Sequence, residues 1–313
     1  MITSSSSSLS GERERSGLGP LGLRFRSILV ATNYGPASAT AVRLAARLAK
    51  EFHARLYVLH AMMPELYGVG TQGPVPELEL LDLSTARENL HRYALRIPEL
   101  RTVVHKEIVF LGSPGDGIES AGKSHNIDLL VVGSRGRQGL AKLALGSVAE
   151  SAIGRCHYPV LVAGPACEKS LRPIRSMVLG TDLTEEALRA TQYAGCIAEE
   201  YQARLTIVNV LPATSAAEKH AEDELSATKK LHALLPSDFK DSCTLKFDLR
   251  CGEIAPAILQ SARENKANLI VLGARHRAPL ADHLPRTKLS ALIRESHCPV
   301  LLVPSILLDL SRL

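Results

Sequence analysis

The chain has 313 residues, 45% of them apolar, which is enough to bury a large core and suits two domains of ordinary size. Of its formal charge of +5, Arg13, Arg15, Arg24 and Arg26 set against Glu12 and Glu14 contribute +2; with no basic run, no Trp and five Phe, the chain lacks the charged track and aromatic platform of a nucleic-acid binder. The start has no apolar segment of secretory-signal length, no stretch of ~18 apolar residues follows, and six scattered cysteines show neither C-x-x-C nor zinc-finger spacing, so the expectation is a cytoplasmic chain with reduced thiols, no membrane partner and no structural metal.

Residues 1–25, rich in serine and then in Arg, Glu and Gly, cannot bury enough apolar surface to offset ordering entropy and read as a disordered tail. Within it "GLGPLG" matches G-x-G-x-x-G at Gly17, Gly19 and Gly22. A dinucleotide fingerprint needs strand, turn and helix in that order, whereas this match precedes the first strand and is interrupted by Pro20, so it is set aside. "ILVA" then reads as a strand buried on both faces, because it is continuously apolar instead of alternating. Ala41, Leu44, Ala45, Leu48 and Phe52, at spacings of three and four, predict a helix, and "LYVLHA" predicts a second strand. "GSPGDGI" is a turn-to-helix entry, with Asp116 as a charge in the first turn; "DLLVVG" and "PVLVA" are further buried strands, and "SVAESAIG" is helical.

The pattern then recurs. Residues 27–61 align with 176–210 at an offset of 149, and "NIDLLVVGSRG" and "CHYPVLVAG" align with "KANLIVLGARH" and "SHCPVLLVP" at an offset of 140. The chain divides into a first unit at 26–165, a linker at 166–174, a second unit at 175–305 and a C-terminal tail at 306–313. Strand and helix alternating through each unit predict a parallel sheet covered on both faces, with ligands at the carboxyl ends of its strands.

One loop leaves such an end. "VVGSRGRQGLAKLALGS" (131–147) places Gly133, Gly136 and Gly146 before a helix with Ser147 near its N-cap, and adds Arg135, Arg137 and Lys142. Two readings fit. Bare backbone N–H groups and the helix dipole can cradle phosphate; equally, the glycines can serve positive φ, the serine a cap and the basic residues solvation. No Walker loop, G-x-S-x-G elbow or Ser/His/Asp order is present. His60, His157 and His297 fit capping or packing at strand ends, and Asp128 strand entry.

The run Gly133, Gly136, Gly146, Ser147, together with "ILVATN", "GSPGDGI" and "CHYPVLVAG", resembles the ATP-binding branch of the universal stress protein family, and the likeness covers both units. The resemblance implies an α/β fold of two tandem Rossmann-like or flavodoxin-like doubly wound parallel-sheet domains in a pseudo-two-fold arrangement. It implies ATP as ligand, with Mg²⁺ as a possible companion, a protein partner not identified by sequence, an intramolecular pseudo-dimer open to further homodimerisation, and a regulatory role in the stress response without a general catalytic reaction. Carried over by position, Ala31, Thr32, Asn33 and Ala61 would meet the nucleoside, Gly133, Arg135, Gly136, Gly146, Ser147 and Val148 the phosphates, and Val132 would also belong to the nucleotide site. Asn33 departs from the aspartate usual in the family.

Unit two departs in the other sense: it keeps Asp182, but has His276, Arg286 and Thr287 at the places of Gly136, Gly146 and Ser147. A side chain where left-handed backbone is needed costs about 1–2 kcal/mol, and its bulk takes phosphate space, so unit two is expected to bind ATP weakly or not at all and to complete the pair structurally. The alternative is an anion held by Arg275, His276, Arg277 and Arg286. For the whole chain the alternative is an interaction module independent of nucleotide, and an adenylating or pyrophosphatase-type enzyme would need a first loop that "ATNYGPAS" does not provide.

Overall fold

Strand β1 (Ser27–Ala31) opens the fold with Ile28, Leu29 and Val30 wholly buried, as a run covered on both faces requires. Helix α1 (Pro36–Glu51) starts with proline at its first turn, where the missing N–H is not needed, and lays Ala41, Leu44, Ala45 and Leu48 on the sheet. The first unit continues through β2 (Arg55–Met62), α2 (Pro76–Leu95), a 3-10 turn at Pro98–Thr102, β3 (His105–Leu111), α3 (Pro114–His125), β4 (Leu129–Gly133), α4 (Ser147–Arg155) and β5 (Val160–Ala163). The second contains β6 (Ser176–Gly180), α5 (Leu188–Glu200), β7 (Arg204–Leu211), a helical segment at 225–230, β8 (Leu245–Cys251), α6 (Ile254–Glu264), β9 (Leu269–Arg275), α7 (Arg286–Glu295) and β10 (Val300–Ser305). This computed structural model describes residues 25–63, 76–134, 145–164, 166–167, 173–184, 187–212, 225–230, 244–275 and 286–305.

All ten strands form one sheet in the order β3-β2-β1-β4-β5-β10-β9-β6-β7-β8. Each half reads third, second, first, fourth, fifth, and every pairing within a half is parallel. The halves meet through β5 and β10, which pair antiparallel with Leu161 opposite Leu301. The two domains are therefore doubly wound parallel sheets related by a pseudo-two-fold, and each covers the other's fifth-strand edge. One core layer lies under α1, α2 and α5, the other under α3, α4, α6 and α7, and both layers run through the two units.

The duplication extends to backbone outliers. Tyr34 and Leu183 (φ 63 each), His53 and Gln202, and Asn126 and Lys266 all hold left-handed conformations at matched places, as do Gly112 and Gly252. Four of the six cysteines, Cys156, Cys167, Cys196 and Cys298, are buried, and Cys251 is exposed. Burial pushes the thiols of Cys156 and Cys196 up to about 11 and those of Cys167 and Cys298 up to about 12, which keeps them protonated at neutral pH.

The expected tail at 1–25 lies outside the described residues except for Phe25, whose buried ring stacks on Tyr193 at 6.3 Å and meets the edge of Phe52 at 5.2 Å. The tail at 306–313 and most of the linker also lie outside them. Among the described residues no helix is long and apolar enough to cross a membrane.

Candidate functional site

Strand order reverses between β1 and β4, and at their carboxyl ends the chain makes two contrasting turns. After β1, Thr32 Oγ1 accepts the N–H of Tyr34 at 3.1 Å, and Asn33 Oδ1 accepts the N–H of Gly35 at 3.0 Å. These side-chain turns fix the left-handed Tyr34 and aim the chain into α1. The hydroxyl of Ser38 lies 2.9 Å from Asn33 Oδ1 and 3.2 Å from Thr32 Oγ1, tying the loop to the helix. Unit two makes the same turn: Leu183 N–H donates to Thr181 Oγ1, and Thr184 N–H to Asp182 Oδ1, both at 3.1 Å. Asn33 thus does the structural work of a carboxylate with a neutral oxygen.

Beneath this turn, Tyr34 stacks on His60 of β2 at 4.3 Å and tilts against Tyr93 of α2 at 5.0 Å. Burial raises the Tyr93 phenol above its ordinary value, against the opposing pull of Thr32, Arg43 and Ser38. His60 Nδ1 donates to the Thr32 carbonyl at 2.9 Å, so this histidine holds the turn. His297 likewise bonds the Ala267 carbonyl through Nε2 at 3.0 Å, as a packing histidine does. Asp116 sits in the first turn of α3, where Ser113 caps its N–H at 3.2 Å.

The turn after β4 is built from close approach. A Cβ on Gly133 would lie 2.7 Å from the carbonyl carbon and oxygen of Ala37. The missing side chain therefore lets the start of α1 rest on β4, and packing with α1 accounts for that glycine without any phosphate. Gly146 donates its N–H to the Ser134 carbonyl at 2.8 Å and is itself the N-cap of α4, with φ −64° and ψ 142°; Ser147 is the first helical residue. The expectation of left-handed geometry thus fails at Gly146, which adopts an extended conformation open to any residue, while Ser147, expected near the N-cap, follows it directly. With no side chain on the N-cap, the first N–H groups of α4 have no capping partner there.

These elements enclose a cavity of about 80 Å³. Ala31, Thr32 and Asn33 line it from the end of β1, Ala61 from β2, Val132 and Gly133 from β4, and Gly146, Ser147 and Val148 from the start of α4. Nine of the eleven sequence-predicted site residues are thereby brought together; Arg135 and Gly136 lie outside the described residues. Sequence reading missed Ser38, Leu59 and Pro114 on the same wall. It also missed Ser134, buried beside Gly133, whose Oγ has no hydrogen-bond partner among the described residues. Comparing the two copies would have pointed to it, since unit two has Ala274 at that place.

None of the described lining residues carries a titratable side chain, so the cavity wall offers hydroxyls, an amide and main-chain N–H groups. Among the described residues no group of three or more His, Cys, Asp or Glu could hold a metal. At the matching place unit two has a larger cavity, about 600 Å³, lined by Thr181, Asp182, Asn209, Gly273 and Lys288 among others.

Comparison with known proteins agrees with this architecture. The model of the universal stress protein family matches the chain twice, over residues 24–164 and 173–304. Universal stress protein MJ0531 of Methanocaldococcus jannaschii is 30% identical over 139 residues, covering 44% of this chain and 81% of that protein. Universal stress protein YxiE of Bacillus subtilis is 29% identical over 145 residues, 44% of this chain and 98% of its own. A universal stress protein structure from Archaeoglobus fulgidus shares the fold with a TM-score of 0.69 at 18% identity, spanning 91% of this chain and 100% of that one.

Proposed function

The chain belongs to the universal stress protein family, and from that premise we propose that its first unit binds ATP and that the protein acts in the cytoplasm as a nucleotide-responsive stress or regulatory module. The observation that carries this reading is the convergence of four stretches distant in sequence on one cavity at the topological switch point, with an uncapped helix N-terminus in its wall.

In this reading the nucleoside rests against Ala31, Thr32, Asn33 and Ala61, Val132 borders the nucleotide, and the phosphates reach toward Gly133, Arg135, Gly136 and the main chain of Gly146, Ser147 and Val148. The buried Ser134 hydroxyl, next to Gly133, has no hydrogen-bond partner among the described residues. Mg²⁺ would enter with the phosphates, because the described lining has no carboxylate to hold it. Unit two completes the pair, binds ATP weakly or not at all, and leaves the outer edges β3 and β8 for a further homodimer or a protein partner. With no acid or base in the described lining, ATP turnover, if present, is slow.

Equilibrium dialysis of the full chain against labelled ATP tests the proposal. Saturable binding of one nucleotide per chain is expected; no binding at millimolar nucleotide removes it. A second reading, an interaction module independent of nucleotide, is favoured by the 80 Å³ volume, which is small beside the roughly 300–1,000 Å³ of small-molecule sites. It predicts no binding in the same experiment.

A further inference from the structure

The two units are duplicates in sequence but differ in the space they leave. In unit one Tyr34 fills the gap between His60 of β2 and Tyr93 of α2. Unit two has Leu183 and Asn209 at the places of Tyr34 and His60. There the cavity continues from β7 to the helical segment at 225–230, reaching Ser226, Ala227 and Lys230, and its 600 Å³ is the size of a small-molecule site.

Asn209 is 5% exposed and lines this cavity. Its Nδ2 donates to the Thr181 carbonyl at 2.9 Å, while its Oδ1 has no hydrogen-bond partner among the described residues. A buried acceptor in that state is destabilising, and a ligand hydroxyl would satisfy it. Asp182 adds a second, exposed acceptor, a carboxylate whose Oδ1 takes the N–H and hydroxyl of Thr184 at 3.1 and 2.6 Å. Against these stand two cations. Lys230 comes from the helical segment, and Lys288 from the first turn of α7, where unit one has the apolar Val148. Ammonium groups bind phosphate as point charges, and here one of them sits at a helix N-terminus. Val208, Ile254 and Leu272 supply an apolar wall.

We propose that the cavity of unit two is a second ligand site, selective for a hydroxyl-bearing phosphate monoester whose hydroxyls donate to Asn209 and Asp182 and whose phosphate is met by Lys230 and Lys288. In sequence, His276 and Arg286 stand where the unit-one loop has two glycines. This inference goes beyond the ATP reading and does not depend on it.

Calorimetric titration of the full chain with ribose 5-phosphate, AMP and inorganic phosphate tests it. At least one of the two esters is expected to bind more tightly than inorganic phosphate, and the exposed-residue variants Lys288→Val and Lys230→Ala should each weaken that binding about tenfold. AMP binding tighter than the sugar phosphate identifies a nucleoside monophosphate as the source; equal affinity identifies a sugar phosphate. No ester binding at millimolar concentration, binding no tighter than that of inorganic phosphate, or binding indifferent to both lysine variants overturns the proposal. Ester binding lost in Gly146→Arg but kept in both lysine variants places the ligand in unit one and also overturns it. The ATP reading stands or falls separately, on dialysis with ATP.

Discussion

His60 and Asn209 stand at the same place in the two half-sheets and hold the same atom: each donates to the carbonyl of the threonine that begins the first turn, Thr32 or Thr181, at 2.9 Å. Because a carbonyl only accepts, Nδ1 of His60 carries the proton. The duplicated turn needs a donor at this position, not an imidazole. His60→Asn should therefore keep the bond and lose the stacking on Tyr34, which is worth about 1 kcal/mol. His60→Leu should leave the Thr32 carbonyl without it and cost about 1–3 kcal/mol. Urea melts of the two variants check this, and equal losses would contradict it.

Gly133 and Gly273 are matched in sequence but not in surroundings. A Cβ at Gly133 meets Ala37 main chain at 2.7 Å, whereas at Gly273 the nearest atoms, on Ala187 and Ala190, are 3.8 Å away. Gly133→Ala should lower stability by about 1–3 kcal/mol through overpacking, and Gly273→Ala should stay within about 0.5 kcal/mol. Thermal denaturation of both distinguishes a packing glycine from one that serves only a ligand.

Asp128 and Asn268 perform one task with different charge. Asp128 accepts the N–H groups of Arg26 and Ser27 at 2.6 and 3.2 Å, and Asn268 accepts those of Arg175 and Ser176 at 3.0 and 3.3 Å. Burial pushes the Asp128 carboxyl above its ordinary range, overcoming the backbone N–H groups that pull it down. A raised carboxyl binds its proton more tightly folded than unfolded. Its stabilising contribution is full below the unfolded value and fades as pH rises through the folded one. Asp128→Asn should remove that dependence, so its stability relative to the parent should improve as pH rises from about 3 to about 6. Chemical denaturation across that range checks the sign; a relative loss with rising pH would contradict it.

Asn33→Asp copies unit two. Since Asp182 builds the same turn with the same oxygen, the change should leave stability within about 0.5 kcal/mol and, in the ATP reading, strengthen the nucleoside contacts. Dialysis with ATP should show tighter binding; weaker binding would contradict the assignment of this residue to the nucleoside end.

Much of this was legible because the chain is written twice. Continuous apolar runs marked β1, β4 and β5, whose residues are covered on both faces, and three-and-four spacing marked α1. The candidate cavity was legible because strand ends in such a sheet converge, which brings Asn33 and Gly146 to one cavity although more than a hundred residues separate them. The reasons behind individual residues were less visible. Gly133 looked like a phosphate glycine, yet its bareness is taken up by Ala37, because a glycine's neighbour across the fold leaves no mark in local sequence. The open cavity of unit two was hidden for a similar reason: it follows from Leu183 and Asn209 replacing an aromatic stack whose members, Tyr34, His60 and Tyr93, lie on three different elements.

Gly146→Arg, the residue unit two carries at this place, separates the phosphate cradle from a mere turn. The backbone at Gly146 is extended, with φ −64° and ψ 142°, and its N–H bonds the Ser134 carbonyl at 2.8 Å. Arginine can adopt that conformation and keep that bond, so folding should persist, with stability within about 0.5 kcal/mol of the parent. Two effects then compete at the site. The guanidinium brings positive charge, which favours phosphate, but the side chain occupies the space through which phosphate would approach the first N–H groups of α4. If those N–H groups form the cradle, bulk wins and ATP binding should be abolished, while Gly146→Ala, adding one methyl, should retain part of it. If the loop is only a turn, neither change should matter. Dialysis of both variants beside a circular-dichroism melt gives the answer, and unchanged ATP affinity in a folded Gly146→Arg protein would remove the main chain of α4 from the site.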